Sequence, residues 1–259
     1  MNDLVSKQYG KIINLRNEGL HKYNSLFPHE FARIPTVHTR PHLVTDRLSR
    51  SRIHEIGLRH YDIGSHICVL NRPVPWVIGR KLIKNDDTVL DIGSSDGMFY
   101  KFLRFNNVAP RYSGLEIDET VRSETPVYGS MKEIHSTFNI VTMFHVIEHM
   151  TSEQFLEMMT DIVRILDPKG SLIIATPNIL CPGVFERDVE HRQPYPWYDL
   201  YAILRLFFDN VEVRRGHYLS TPLRMASIPV RMILGILMEQ DWCEEVVLVA
   251  RGVHRFIEG

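Results

Sequence analysis

The residues of this sequence that could do chemistry fall into an acid-flanked glycine turn and two histidine segments. The turn runs from Asp91 to Gly97 and reads DIGSSDG. Glycine lets the backbone approach a ligand without a Cβ in the way, so the turn predicts a binding site. The first histidine segment is HVIEHM, from His145 to Met150, and the second is DVEHRQPY, which contains His191. Histidine titrates near neutral pH, so either segment could take a proton from a hydroxyl group.

The residues around the turn predict which ligand it holds. A short apolar run, TVLDI, precedes the turn, and a segment of helical composition follows it from Met98. Strand, glycine turn and helix in this order form a nucleotide-binding cradle. Asp91 and Asp96 flank the turn and would repel a pyrophosphate, but they suit a ligand that carries a cationic amino-acid end and a ribose. Glu116 lies about 20 residues past the turn, which is the spacing of a carboxylate that holds a ribose diol.

The turn resembles motif I of the class I methyltransferases that depend on S-adenosyl-L-methionine (SAM), which reads D/E-x-G-x-G-x-G. Asp91, Gly93 and Gly97 match this motif, and Ser95 replaces its middle glycine. The resemblance implies SAM as the cofactor and S-adenosyl-L-homocysteine as the product. The cofactor-binding residues that it implies are Asp91, Gly93, Ser94, Ser95, Gly97, Met98, Glu116, Ile117, Ser130, Met131 and Phe144. A turn with a structural role alone is the alternative.

The segments after the turn keep the order found in the same superfamily. HVIEHM, a helix over residues 153–166 and DPKGSLIIATPN resemble motifs four to six, so the resemblance covers residues 88–178. It implies that the end of the fourth strand faces the sulfonium, which places His145 beside the methyl group and His149 close behind. We favour His145 over His191 as the base, because a strand end is held more rigidly than a loop. Alignment of an already nucleophilic acceptor, without any base, is the alternative.

His145, Glu148 and His149 also spell H-x-x-E-H, the inverted zinc-protease signature. That signature needs both histidines on one face of a long helix, whereas His145 is predicted to end a strand, so a protease is excluded. Some relatives carry E-x-x-E-H here, and in RNA 3′-end ribose methyltransferases those residues bind a divalent metal. His145 replaces the first glutamate, so we predict no metal site and a structural capping role for Glu148 and His149. A metal bound by Glu148 and His149 is the alternative.

The second histidine segment resembles the D-x-x-H-x-R-P-Y pattern that follows the fifth strand in methyltransferases of polysaccharide and glycolipid synthesis. Asp188, His191, Pro194 and Tyr195 match the pattern, whereas the Arg-Gln pair between His191 and Pro194 departs from the usual order. This segment follows a strand end, where loops often carry functional residues. His191 is therefore a second candidate for the base, or an anchor for the substrate. A loop histidine that binds a backbone carbonyl is the alternative.

The elements that must position these residues form an α/β fold. We predict a Rossmann-like, doubly wound sheet of seven strands with the last strand antiparallel, plus an N-terminal helical cap. The cap is assigned to residues 1–75, with helices over 1–26 and 43–61, and the methyltransferase domain to residues 76–259. Only about ten residues join the second strand to the third, too few for a crossover helix. A helical insertion is predicted at about 220–241, packed on its own domain or, alternatively, in a homodimer.

The formal net charge of −1 hides an asymmetry along the chain. Residues 1–84 hold 14 Lys and Arg against 6 Asp and Glu, and the remaining residues hold 16 against 25. The basic N-terminal part predicts an anionic substrate such as a sugar nucleotide, or else an attraction to the acidic remainder. His38 and His42 lie four residues apart, but Pro41 between them breaks a helix, so no metal site is predicted there.

Further compositional features place the protein in a cellular context. No apolar stretch is long enough to span a bilayer, and no N-terminal segment reads as a signal peptide. The 3 cysteines are scattered and predict no disulfide framework. We therefore expect a cytoplasmic protein. Nucleic acid is not expected as a partner, because no basic stretch is interleaved with aromatic residues.

The function expected from the residues and the resemblance is O-methylation. The acceptor would be a glycan, a sugar-bearing molecule or another anionic small molecule, and a histidine would act as base during in-line methyl transfer. A metal-assisted RNA ribose 2′-O-methyltransferase is one alternative. A non-catalytic SAM-binding partner subunit is the other.

Overall fold

The computed structural model describes residues 67–70, 73–218, 226–238 and 241–253. The predicted helices at 1–26 and 43–61, and the segment with His38 and His42, lie outside these ranges. The described strands are β1 Ile67–Leu70, β2 Thr88–Ile92, β3 Arg111–Leu115, β4 Val127–Tyr128, β5 Phe138–Phe144, β6 Leu166–Pro177, β7 Phe208–Tyr218 and β8 Glu245–Val253. The described helices are α1 Val74–Leu82, α2 Met98–Phe105, α3 Ser152–Ile165, α4 Trp197–Leu204 and α5 Ile228–Met238.

All the described strands join one sheet in the order β1-β7-β8-β6-β5-β2-β3-β4. Neighbouring strands are parallel, except that β8 runs antiparallel to both β6 and β7. The predicted Rossmann-like architecture and its antiparallel last strand are confirmed. The seven strands of the predicted sheet are present, and β1 adds an eighth strand that pairs in parallel with β7 at the sheet edge.

Strand β1 lies in the segment that the sequence assigned to the helical cap. Its four residues read ICVL, and periodicity cannot distinguish so short an apolar run from a helix. Within the described residues, the sheet therefore begins at Ile67. The division of the chain into a cap and a methyltransferase domain stays a prediction, since residues 1–66 lie outside the described ranges.

Helices cover both faces of the sheet. Successive residues of a strand point to opposite faces, so a strand inside the sheet packs against helices on both sides. In β2, Val89 packs with Phe99 of α2 and Ile78 of α1 in one buried cluster. The next residue, Leu90, belongs to a second cluster with residues of α3 and α4, including Phe155. Both faces of β2 are thus buried, which is why its sequence is an unbroken apolar run up to Asp91.

The connections at the ends of β3 and β5 are short, and they shape the functional edge. Between β3 and β4 the described chain contains no helix, as predicted from the length of this connection. After β5, a 3₁₀ turn at Ile147–His149 leads to α3. A capping box starts α3: the Gln154 N–H donates to Thr151 Oγ1 at 3.3 Å, and the Thr151 N–H donates to Gln154 Oε1 at 2.8 Å.

Helix α5 occupies the predicted insertion between β7 and β8. Its large side chains Val230, Ile233, Leu237 and Met238 are exposed. Met225 lies outside the described ranges. Across the ranges given above, no helix combines the length and apolar character needed to cross a membrane.

Candidate functional site

The predicted site residues meet at one edge of the sheet. The glycine turn follows β2, Glu116 follows β3 and His145 follows β5, and β2 lies between the other two strands. These strands are parallel, so their carboxyl ends form one edge. Strand β8 runs in the opposite direction and begins at this same edge with Glu245, opposite Pro177. We call residues 93–97 the cofactor turn, and His145, Glu148, His149 and His191 the histidine cluster.

The cofactor turn depends on backbone conformations that favour glycine. Gly93 has φ 73° and Gly97 has φ 80°, both in the left-handed region. The Gly93 N–H donates to the carbonyl of Leu115 at 2.8 Å, which binds the turn to β3. A Cβ on Gly93 would lie 2.4 Å from Cγ2 of Val146. The turn therefore packs directly against the first histidine segment, at a point where no side chain would fit.

Ser95, at the position of the motif's middle glycine, also adopts a left-handed conformation, with φ 47°. Such a conformation costs roughly 1–2 kcal/mol for a residue with a Cβ. The Ser95 N–H donates to Glu116 Oε2 at 2.9 Å, which helps to hold it there. The turn therefore accommodates a serine at the position of the motif's middle glycine.

Glu116 links the two strand ends. Besides the bond from Ser95, its Oε1 accepts the N–H groups of Ile117 at 2.9 Å and Asp118 at 3.1 Å. An ionised carboxylate has about four acceptor positions, so these bonds fix Glu116 and leave room for a further donor. Ile117, the next residue in sequence, is 83% exposed, and Met98, the first helical residue after the turn, is 50% exposed. A fixed carboxylate next to exposed apolar side chains suits a ribose that carries a flat base.

Asp91, which the sequence predicts to bind the cofactor, is held by hydrogen bonds within the protein. It is only 3% exposed, and Thr142 Oγ1 donates to its Oδ1 at 2.6 Å while the hydroxyl of Tyr112 donates to Oδ2. Burial raises the pKa of Asp91 to about 6, although both hydrogen bonds act in the opposite direction. The carboxylate thus joins β2 to β3 and β5. A contact between Asp91 and a ligand stays a prediction.

Three further predicted cofactor residues lie at different depths. Met131 is buried in the core, so its side chain is not displayed at the surface. Phe144 packs edge-on against Phe99, with ring centroids 5.0 Å apart. Ser130 lies after β4, and its hydroxyl donates to Glu133 Oε1 at 3.0 Å. Only Ser130 of the three keeps its side chain in a polar setting.

His145 is held between two carboxylates. Its Nδ1 lies 3.3 Å from Glu148 Oε1, and its Nε2 lies 3.5 Å from Glu245 Oε1. Burial lowers the pKa of His145, but the hydrogen bonds and charges of Glu148 and Glu245 outweigh it and raise the pKa to about 10. The side chain is still 42% exposed, so solvent weakens both pairs. With both nitrogens directed at carboxylates, the ring favours the protonated form at neutral pH.

Glu148 connects β5, β6 and the second histidine segment. It is 0% exposed, and Thr176 Oγ1 donates to its Oε2 at 3.1 Å. The backbone carbonyl of Glu148 accepts the N–H groups of Arg192 at 2.8 Å and Gln193 at 3.1 Å. These contacts agree with the structural role expected for Glu148. They also explain how two segments far apart in sequence come together.

His149 and His191 have the same hydrogen-bonding arrangement. Nδ1 of His149 lies 3.2 Å from the carbonyl of Glu190, and Nδ1 of His191 lies 2.6 Å from that of Phe185. A carbonyl only accepts, so each Nδ1 carries the hydrogen and each Nε2 keeps a lone pair in the neutral ring. The ring centroids are 5.1 Å apart. His191 thus has the carbonyl contact that the sequence left as its alternative, and also retains a basic nitrogen.

The rest of the second histidine segment positions His191. Oδ1 of Asp188 accepts the N–H of Glu190 at 2.9 Å, and its carbonyl accepts the N–H of His191 at 3.3 Å. Tyr195 is buried, with its ring centroid 5.5 Å from that of Phe155 in α3. The residues that matched the sequence pattern therefore form a turn at one end and a core anchor at the other.

Sequence reasoning missed several partners of the site: Tyr112, Thr142, Thr176 and Glu245. Thr142 stands opposite Asp91 in the pairing of β2 with β5, and a strand alignment could have found it. Glu245 begins an apolar strand that runs antiparallel to the rest, which brings its carboxylate to the same edge. Its Oε2 also accepts the N–H of Val74 at 3.2 Å, where α1 starts. A charged residue at the start of a predicted antiparallel strand is the sequence signal that could have identified Glu245.

Comparison with protein families shows which family the chain belongs to. Residues 70–217 match a family model described as a methyltransferase domain. The chain belongs to this methyltransferase family. No curated protein sequence matches the chain significantly.

Solved structures agree with the methyltransferase fold. A SAM-dependent methyltransferase from Archaeoglobus fulgidus is 19% identical with a TM-score of 0.55, over 68% of this chain and 92% of its own. A chain from the complex of the Haloferax volcanii Trm112 methyltransferase activator with a methyltransferase is 14% identical with a TM-score of 0.50, over 80% and 96%. Phosphoethanolamine N-methyltransferase 2 of Haemonchus contortus, in complex with SAM, is 15% identical with a TM-score of 0.46, over 84% and 60%.

SAM is the cofactor of this methyltransferase, and the edge fits it. The left-handed Gly93 leaves no Cβ in the turn, and Glu116 offers a fixed acceptor for the ribose hydroxyls. Met98 and Ile117 present apolar surface that the fold itself leaves exposed. The sequence prediction of the cofactor is therefore confirmed, while the individual contacts stay predictions.

Proposed function

We propose that this methyltransferase transfers the methyl group of SAM to a hydroxyl oxygen of a sugar-bearing or other anionic small molecule. The observation that supports this proposal is the meeting of the cofactor turn and the histidine cluster at one edge, from the neighbouring strands β2 and β5. Val146 contacts the turn at Gly93, and it lies next to His145 in sequence. A cofactor bound over the turn would therefore have the histidine cluster beside it.

The chain itself must align the acceptor and take up its proton. SAM supplies a methyl carbon on a sulfonium, and the acceptor oxygen bonds to that carbon as the carbon–sulfur bond breaks to give S-adenosyl-L-homocysteine. His149 and His191 each keep a lone pair on Nε2 that can accept the hydroxyl proton. His145, paired with Glu148 and Glu245, instead orients the cluster. The sequence analysis favoured His145 as the base because a strand end is rigid, and this proposal assigns the base to His149 or His191 instead.

The charge of the acceptor is inferred from the sequence. Residues 1–84 carry 14 Lys and Arg against 6 Asp and Glu, which favours an anionic acceptor by electrostatic attraction. An imidazole with a lone pair on Nε2 suits a hydroxyl acceptor, because it can accept the hydroxyl proton during methyl transfer. Together these features support an oxygen acceptor on a sugar nucleotide or a similar molecule.

The experiment is a screen of acceptors with methyl-labelled SAM. Sugar nucleotides, phenols and short RNAs are offered to the wild type, and label transfer is measured. With the best acceptor, His149→Gln or His191→Gln should lower kcat by about 10²–10⁴-fold if that residue is the base. His145→Gln should lower it less. His135→Gln, at an exposed histidine outside the cluster, is the matched control and should leave kcat unchanged.

Measuring SAM affinity distinguishes a variant that has lost the catalytic base from one that has lost its fold. All four variants should bind SAM as the wild type does, because none of the substituted residues belongs to the cofactor turn. Parental rates in both His149→Gln and His191→Gln would contradict the proposed base. Label transfer to RNA but to no small molecule would contradict the proposed acceptor.

A further inference from the structure

The geometry points to a divalent transition-metal site formed by Glu148, His149 and His191. One ligand atom from each residue can be chosen so that all three lie within 4.8 Å of one another. The three residues come from the 3₁₀ turn after β5 and from the second histidine segment. They meet because the carbonyl of Glu148 binds the N–H groups of Arg192 and Gln193. The site is thus assembled by backbone bonds that do not use its ligand atoms.

The two histidines are oriented as metal-ligating histidines are. Each donates its Nδ1–H to a backbone carbonyl, His149 to Glu190 and His191 to Phe185. A ligating histidine almost always donates its other ring N–H to a carbonyl or carboxylate, which fixes the tautomer and the direction of the lone pair. The Nε2 lone pairs of both rings are therefore available for a cation.

The third ligand is a carboxylate that the fold has removed from solvent. Glu148 is 0% exposed, and its oxygens are oriented by Thr176 at 3.1 Å and His145 at 3.3 Å. Each carboxylate oxygen has two acceptor positions, so these contacts leave places for a cation. Zinc binds nitrogen and oxygen ligands at about 2.0–2.2 Å, which sets ligand atoms roughly 3.4 Å apart. The ligand atoms, which lie within 4.8 Å of one another, must therefore approach by up to about 1.4 Å. Rotation of the two partly exposed histidines can provide this movement.

The donor set selects the kind of metal. Two imidazole nitrogens and one carboxylate suit Zn²⁺, Co²⁺ or Mn²⁺, whereas Mg²⁺ and Ca²⁺ prefer oxygen ligands alone. Three protein ligands leave a coordination position open. The catalytic consequence rests on the proposed oxygen acceptor, and it changes the role of His149 and His191 from base to metal ligand. The acceptor hydroxyl would bind at the open position and release its proton to water, and the oxygen would then take the methyl group of SAM. Metal binding itself does not depend on that proposal.

The test is metal binding to the full chain after treatment with a chelator. Co²⁺ is followed by its visible absorption and Zn²⁺ by calorimetry. The wild type should bind one equivalent tightly, and His149→Ala and His191→Ala should each weaken binding by at least about 100-fold. Glu148→Gln, which keeps the shape of the side chain but not its charge, should weaken binding as well. His135→Ala and the double variant His38→Ala with His42→Ala are controls and should bind as the wild type does.

The outcomes separate this site from the proposed function. SAM affinity of the cluster variants should equal that of the wild type, which shows that they are folded. Equal metal affinity in His149→Ala, His191→Ala and His135→Ala would overturn the site, as would a wild type that binds neither cation. A wild type that methylates its acceptor at the full rate without any bound cation would overturn the catalytic role of the metal and leave the proposed function standing. Tight metal binding without methylation of any oxygen acceptor would do the reverse.

Discussion

The cofactor turn and the histidine cluster share an edge but are built in different ways. The turn is formed within one strand–turn–helix unit and is fixed by the next strand, from Asp91 to Glu116. Its chemistry lies in backbone conformation and in one carboxylate. The cluster is assembled from two separate segments, at the end of β5 and in the loop around His191, and Glu245 at the start of β8 pairs with its His145. Its chemistry lies in side-chain lone pairs, so it depends on tertiary contacts.

Two contacts join these regions and make the comparison testable. Gly93 of the turn faces Val146 of the first histidine segment, and Asp91 accepts a hydrogen bond from Thr142 of β5. A change at either contact should affect both regions. A change within the turn alone, as at Ser95, should not reach the cluster.

The largest effect is expected for Gly93→Ala. Its φ of 73° disfavours any Cβ, and the new methyl would lie 2.4 Å from Val146 Cγ2. We expect a loss of about 2–4 kcal/mol in the free energy of unfolding, and weaker SAM binding. Urea denaturation and calorimetry measure the two quantities.

A double variant separates the two causes. Val146→Ala removes the methyl group that the alanine at position 93 would meet. Added to Gly93→Ala, it should restore the stability lost to the steric clash, but not the roughly 1–2 kcal/mol lost to the left-handed φ. Val146→Ala alone is the matched control. Strictly additive effects of the two substitutions would show that the turn and the histidine segment are not in contact there.

The next prediction concerns the pH dependence contributed by Asp91. Burial raises its pKa from 3.8 to about 6, so the folded protein binds this proton more tightly than the unfolded chain. The stability that protonated Asp91 allows is present below about pH 4 and is lost as pH rises through about 6. Asp91→Asn removes this dependence. Relative to the wild type it should gain up to about 3 kcal/mol between pH 4 and 7.5.

A constant offset is also expected in Asp91→Asn. The amide has one acceptor oxygen, so either Thr142 or Tyr112 loses its acceptor at every pH, which costs roughly 1–3 kcal/mol. Chemical denaturation of both proteins at several pH values distinguishes the offset from the slope. Parallel stability profiles for the two proteins would contradict the raised pKa of Asp91.

The smallest effect is expected for Ser95→Gly. Glycine relieves the left-handed conformation of this residue but adds freedom to the unfolded chain, so the net gain should be below about 1 kcal/mol. SAM affinity should stay at the wild-type value, because the N–H that binds Glu116 is retained. Thermal unfolding and calorimetry measure both. A marked loss of SAM affinity would mean that the Ser95 hydroxyl has a role in binding.

The local half of the site could be predicted from the sequence. The cofactor turn, its departure at Ser95 and the carboxylate of Glu116 follow from spacing, because they lie within neighbouring elements of a familiar order. Even here, the sequence did not show which side chains are buried. Asp91 and Met131 are buried in the folded protein, since whether a residue faces solvent or core depends on strands and helices that pack from elsewhere.

The assembled half could be predicted only in part. His145, His149 and His191 were identified as candidates, but their convergence on Glu148 depends on two backbone hydrogen bonds between distant segments. Glu245 was missed because its place at the edge depends on the direction of β8. The edge strand β1 was missed for a related reason: a four-residue apolar run is assigned by its pairing with β7, not by its own pattern.

The claim that the turn and Glu116 bind SAM is tested most directly by calorimetric titration of SAM into wild type and Glu116→Ala. Glu116 has one acceptor position left for a charge-assisted hydrogen bond from the ribose, worth roughly 1.5–3 kcal/mol, so we expect affinity to fall by about 10–100-fold. Glu119→Ala, at a nearby exposed acid, is the control and should bind as the wild type does. A folded Glu116→Ala protein with unchanged SAM affinity would contradict the account.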